Sequence, residues 1–245
     1  MQIHAIHKLY QYRLSKATKP FRARGANVDR CKFCLIARHL CICDEKVTLD
    51  TNAAFMLVMY DDEVLKPSNT GRLIADTVKD TSGFIWSRTE PDPKMLEILN
   101  HPDWQPYVVF PSQYAEPERV VSAPKTEQGK RPLFILIDGT WQEAKKIFRK
   151  SQWLAHFPVL SIQSSDVSRY KVRTANGENQ LATAEVAARV LDLNGESKAS
   201  TCLDAWFDVF REHYLAGKRQ KPLPVQGALS SFRRLSSIDF DLSCE

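Results

Sequence analysis

Leu133-Phe134-Ile135-Leu136-Ile137-Asp138-Gly139-Thr140-Trp141 is the stretch that decides how this chain folds. Five consecutive apolar residues bounded by a polar residue and a glycine have the length and pattern of a strand buried on both faces. A helical pattern opens at Trp141 and runs to about Lys150. Asp138 therefore lies at the carboxyl tip of a strand, and Trp141 lies in the first turn of the helix that follows.

The same alternation extends in both directions. Apolar runs at 53–60, 83–86, 107–110 and 158–162 read as further strands. Helical patterns occupy 72–79, a segment after Pro93, 183–193 and 200–216. Strand and helix in turn predict an α/β fold, with a mostly parallel sheet covered by helices on both faces. Pro- and Gly-containing stretches at 111–132 and 217–231 read as linkers, and no internal repeat is present. The expected division is a basic N-terminal segment over 1–48, a catalytic domain over 49–216 and a C-terminal tail over 217–245.

In open α/β sheets, ligands sit beyond the carboxyl ends of the strands, where helix amino termini present free N–H groups. Three post-strand loops meet that condition: Ser68-Asn69-Thr70-Gly71, Phe110-Pro111-Ser112, and the Asp138 loop. The first offers hydroxyls, an amide and backbone donors suited to a carboxylate or phosphate; its plainer reading is a helix cap with a glycine turn. Asp138 could likewise be an N-cap, and Trp141 a core residue. Neither a P-loop nor a G-x-G-x-x-G fingerprint occurs. Asp138-Gly139-Thr140 fits the end of the D-x-D-G-T motif of aspartyl phosphatases, but the nucleophile of that motif falls at Leu136, which excludes phosphoryl transfer by that route.

The 245 residues are 43% hydrophobic and carry a formal net charge of +5. That charge is unevenly placed. Residues 1–40 carry nine Lys/Arg against one acid, residues 41–210 carry 19 against 24, and residues 211–234 carry six against one. A mildly acidic body between basic ends is the pattern expected where the ends meet a polyanion; solvated tails are the alternative. No run approaches the roughly 18 apolar residues of a membrane span, and the N-terminus lacks a signal-peptide pattern. A cytoplasmic protein with reduced cysteines is expected, without a membrane or an obligate protein partner.

Cys31, Cys34, Cys41 and Cys43 fall within thirteen positions as C-x2-C and C-x-C. Four thiolates on a short knuckle complete a tetrahedral zinc shell, and a closed shell makes the metal structural. Four free thiols are the alternative, and His39 could replace one sulfur. Cys202, in a helical pattern, reads as a buried thiol.

Taken together, Leu136 to Trp141, Ser68 to Gly71, Tyr170-x-x-Arg173, Ala182-Thr183-Ala184-Glu185 and the four cysteines resemble the DTW-domain family, and within it the bacterial tRNA-uridine aminocarboxypropyltransferases. The resemblance covers about residues 28–216. Met59-Tyr60-Asp61-Asp62-Glu63 matches the family's M-H-x-x-E stretch except that Tyr60 replaces the His. The resemblance implies a SPOUT-like α/β fold that transfers the 3-amino-3-carboxypropyl group of S-adenosylmethionine to N3 of a uridine in the tRNA variable loop. It implies catalytic roles for Asp138, Thr140 and Trp141. S-adenosylmethionine would be held by Ser68, Asn69, Thr70, Gly71, Phe110, Pro111, Ser112, Asp138, Tyr170, Arg173 and Thr183. Arg13, Lys19, Arg22 and Arg24, interleaved with aromatic residues, would then meet tRNA. A SPOUT-like RNA methyltransferase and a non-catalytic zinc-containing RNA-binding module are the alternatives.

Overall fold

The computed structural model describes residues 3–19, 21, 27–162 and 181–241. Its centre is a six-stranded sheet of β1 (Ala54–Met59), β2 (Thr81–Ile85), β3 (Trp104–Val109), β4 (Val120–Val121), β5 (Arg131–Asp138) and β6 (Val159–Leu160). The order is β2-β1-β5-β3-β6-β4, and every pairing is parallel. The expected mostly parallel α/β architecture is therefore the observed one. Successive β1 side chains serve opposite faces, as the strand's two-residue period requires. Phe55, Leu57 and Met59 join one core, with Phe134, Leu136, Ile74 and Leu191; Ala54, Met56 and Val58 join the other, with Ile135, Met95, Ile147 and Phe148. A strand buried on both sides shows no polar alternation, which is why its sequence is one continuous apolar run.

Among the described residues, seven α-helices accompany the sheet: α1 (Ala5–Ser15), α2 (Gly71–Thr77), α3 (Pro93–Leu99), α4 (Trp141–Lys150), α5 (Thr183–Leu193), α6 (Ser197–Arg219) and α7 (Ala228–Asp241). A third core joins the cysteine segment to α6 and α7, with Trp206 and Phe232 at 5.1 Å between ring centroids. Two sequence readings need correction. The 111–132 stretch, read as a linker, supplies β4 at the sheet edge, and the 217–231 stretch contains the start of α7. β4 is too short to produce a periodic signal. α7 owes its place to Phe232 fitting against Trp206, a contact that local sequence does not encode.

α1 lies against β2. Its Ile6 approaches so closely that a Cβ at Gly83 would sit 2.4 Å from the Ile6 Cδ1 atom. A polar clasp holds the same helix: His4 Nε2 is 3.0 Å from the Asp76 carboxylate, which also takes the Lys46 ammonium and the Trp206 indole N–H. His4, His7 and Asp76 could offer three ligand atoms to an ion, but the Lys46 ammonium already stands on that carboxylate.

Burial, aided by His4, Lys46 and Arg72 and opposed by Asp76, lowers the His7 pKa from 6.5 to about 4. The unfolded chain thus binds a proton between those values that the folded chain refuses, so stability falls as pH drops from about 6.5 towards about 4. Going from neutral pH to about pH 5 should cost about 1–2 kcal/mol, and His7→Phe, which keeps the ring but cannot titrate, should flatten that slope. Thermal melts of both proteins across this range check the expectation; equal slopes would refute it.

Candidate active site

Asn69, Thr70, Gly71, Asp138 and Thr183 converge at the carboxyl edge of β1 and β5, where Met59 and Asp138 are register partners. Asp138 is buried. Its Oδ2 accepts from the Asn69 amide at 2.7 Å, and its Oδ1 accepts from the Thr183 hydroxyl at 2.8 Å. The Asn69 amide also reaches the Glu63 carboxylate at 3.3 Å, and the other Glu63 oxygen takes the Lys66 ammonium at 2.7 Å. Burial alone would weaken the charge on Lys66, but Glu63 holds its pKa above the ordinary value. One amide thus bridges two buried carboxylates, a costly arrangement that persists only because each charge is met by donors. The Asn69 Oδ1 atom is buried without a hydrogen-bond partner among the described residues.

Backbone placement sets this geometry. Gly71 is required because a Cβ there would stand 2.5 Å from Asp138 Oδ2. The Thr70 hydroxyl accepts from the Ala184 N–H at 3.4 Å, which ties the start of α2 to the start of α5. Arg72, also buried, donates to the carbonyls of Lys66, Asn69 and Phe33 at 3.0, 3.3 and 3.4 Å. It therefore braces the Asn69 loop against the cysteine segment.

Of the plainer readings of these loops, the Asp138 N-cap is set aside, while Trp141 does pack, half-buried, against one core. Thr70 occupies the N-cap position of α2 but makes no side-chain cap bond there. The N-cap of α4 is Thr140, whose hydroxyl accepts from the Glu143 N–H while Glu143 accepts from the Thr140 N–H at 2.7 Å. Trp141 is part of an aromatic wall: it stacks on Phe110 at 5.6 Å and meets Tyr114 edge-on at 5.5 Å, and Phe110 stacks on Phe148 at 4.3 Å. Ser112 is exposed and donates its N–H to Ser161 at 3.0 Å; Pro111 and Ser68 are half-buried.

The predicted set is thus divided between a polar cluster and an aromatic wall, while Thr140 caps its helix. Tyr170, Arg173, Arg22 and Arg24 lie outside the described residues. Arg13 forms a bidentate pair with Asp61 at 2.7 and 2.8 Å, and Lys19 is exposed. Sequence reasoning passed over Arg72 and Tyr114. The first looks like an ordinary first-turn residue, and the second lies in the apparent linker. Glu63 stands out in the sequence only by its match to the M-H-x-x-E stretch.

The four clustered thiols could hold a zinc ion. All four sulfurs lie within 4.8 Å of one another. Cys31 and Cys43 are 3.6 Å apart, and Cys34 and Cys41 are 3.8 Å apart. A zinc tetrahedron with bonds of about 2.3 Å has sulfur–sulfur edges of about 3.8 Å, whereas a disulfide is about 2.05 Å. The loop closes as a knuckle should: the Cys31 N–H bonds the Ile36 carbonyl at 2.9 Å, and Leu35 takes φ +59° at the turn. Hydrogen bonding from Cys43 pulls the Cys34 thiol pKa down, to about 5, against the opposing effect of burial. Cys202 is buried in the core of α6, as expected.

The model of the DTW domain matches residues 28–215. No solved structure matches the chain.

Proposed function

The chain belongs to the DTW-domain family, and from that premise we propose that it is a tRNA-modifying transferase. On this reading it moves the 3-amino-3-carboxypropyl group of S-adenosylmethionine to N3 of a tRNA variable-loop uridine. The N3–C bond forms as the methylene–sulfur bond breaks; the N3 proton leaves to a base, and methylthioadenosine departs.

The observation that carries this reading is the constellation of buried Glu63, Asn69 and Asp138 with half-buried Thr183. Three chain segments bring it to the carboxyl edge of a parallel sheet, beside an aromatic wall. The donor set suits the amino acid arm of S-adenosylmethionine. The Asn69 Oδ1 atom is an unmet acceptor for an ammonium among the described residues, the Thr183 hydroxyl meets the same Asp138 carboxylate as the Asn69 amide, and Phe110, Tyr114 and Trp141 offer a face for a ring. Because all three carbons on the sulfonium share the same leaving-group chemistry, positioning alone selects the methylene. The bracing of the Asn69 loop by Arg72 serves that end.

Asp138 faces the uracil edge and takes or orients the N3 proton. Thr140 fixes the loop through its capping box, and Trp141 forms the wall. Tyr170 and Arg173 complete the rim in this proposal, Arg13, Lys19, Arg22 and Arg24 guide the tRNA, and the cysteine knuckle carries structural zinc. The test is to incubate the purified protein with unmodified tRNA and S-adenosylmethionine and weigh the released nucleosides. An aminocarboxypropyl-uridine is expected. A methyl adduct would make the protein a methyltransferase of SPOUT type; no adduct, with S-adenosylmethionine bound, would leave an RNA-binding module.

A further inference from the structure

α4 is a basic strip set into an otherwise acidic body. It carries Lys145, Lys146, Arg149 and Lys150 against one acid, Glu143, which the capping box already engages. None of the four cations forms an ion pair with a described residue, whereas Arg13, Lys66, Arg119 and Arg131 all do. Lys146, Arg149 and Lys150 are exposed.

Beside this strip stands an aromatic pair. The Tyr60 and Trp86 rings stack with centroids 6.1 Å apart and planes 24° apart, both half-buried. The Lys146 ammonium lies over both rings, at 5.5 Å from Tyr60 and 5.6 Å from Trp86, and 3.5 Å from the Tyr60 hydroxyl. The Lys145 ammonium lies over Trp141 at 5.7 Å. The pair is rigidly placed next to the reacting centre. The Tyr60 N–H bonds the Asp138 carbonyl at 2.9 Å, a Cβ at Gly139 would stand 3.3 Å from the Tyr60 Cβ, and the Trp86 indole N–H bonds Ser151 at 2.9 Å. Of the neighbouring acids, Asp61 is matched by Arg13, while Asp62 only shares the Lys66 ammonium with Glu63, at 3.5 Å against 2.7 Å.

We propose that Tyr60, Trp86 and the basic face of α4 form the docking surface for the unpaired RNA segment that carries the target nucleotide. One nucleobase stacks on the Tyr60–Trp86 pair, and the flanking phosphates meet Lys145, Lys146, Arg149 and Lys150. This rests on the RNA-substrate reading above and adds to it where the RNA enters. The chemistry follows from the parts: stacked aromatic rings bind any base by its π face, and a row of cations with no acidic partner among the described residues can track a phosphate backbone. Lys146, which now lies over the pair, turns outward when a base takes its place.

The test is binding of unmodified tRNA without S-adenosylmethionine, measured over a salt series for Lys146→Glu, Tyr60→Ala and Tyr60→Phe. Lys198→Glu is the control. That residue is exposed in the first turn of α6, beside Glu196, which caps the amino end of β1 on the opposite edge of the sheet. Lys146→Glu and Tyr60→Ala should weaken binding about tenfold or more, and Lys146→Glu should lower the salt slope by about one. Tyr60→Phe, which keeps the ring, should bind like the unsubstituted protein, as should Lys198→Glu. Full affinity in both Lys146→Glu and Tyr60→Ala, or no tRNA binding by the unsubstituted protein, overturns the proposal. Because the readout is binding, it holds whichever group the enzyme transfers, and failure of the transfer chemistry would appear separately in the nucleoside masses.

Discussion

On the proposed transferase reading, Asp138→Asn should slow transfer by about 100-fold or more, the usual worth of a carboxylate that handles a proton in the transition state. The substitution preserves shape, and the amide can still accept from Asn69 on one side and meet a turned Thr183 hydroxyl on the other. What it removes is the negative charge at the carboxyl tip of β5. Affinity for S-adenosylmethionine should change little, because the loops keep their places. Single-turnover kinetics beside a calorimetric titration separate the two effects. Full turnover with binding intact would reduce Asp138 to a brace between loops.

Cys34→Ser should abolish stoichiometric zinc and lower the melting temperature by about 10 °C or more, given how much folding free energy a closed thiolate shell supplies. Chelation of the unsubstituted protein should reproduce the shift. The loss spreads because the knuckle shares its core with Trp206, Phe207 and Phe210 of α6. It should also reach catalysis: Arg72 holds the Phe33 carbonyl, between the first two cysteines, with the same guanidinium that holds the Asn69 loop. Metal analysis, melting curves and turnover on one preparation test all three effects. A zinc-free variant with unchanged melting and turnover would sever the knuckle from the site.

Period and punctuation made β1, β5 and α4 readable without coordinates. An apolar run too short for a helix and closed by Asp138-Gly139 is a strand with a polar tip, whatever surrounds it. The cap of α4 was not read correctly: the sequence offers Asp138 as a possible N-cap, whereas Thr140 and Glu143 form the capping box. The cysteine cluster was legible because four thiols within thirteen positions are constrained by chain length alone. Arg72 and the Tyr60–Trp86 pair were not legible. Arg72 sits where a helix usually shows a residue to solvent, and Trp86 reaches Tyr60 only because β2 lies beside β1.

The sequence by itself determined the class of fold, the edge of the sheet where polar loops gather and the thiols available to a metal. These are properties of local pattern, carried by residues a few positions apart. Only the tertiary structure decided that Asp138 is shared by Asn69 and Thr183, that the Glu63 carboxylate is buried near them, and that the basic face of α4 stands beside stacked rings. Those facts depend on parallel pairing bringing residues 63, 69, 138 and 183 to one edge, and no local propensity records a distance across the fold.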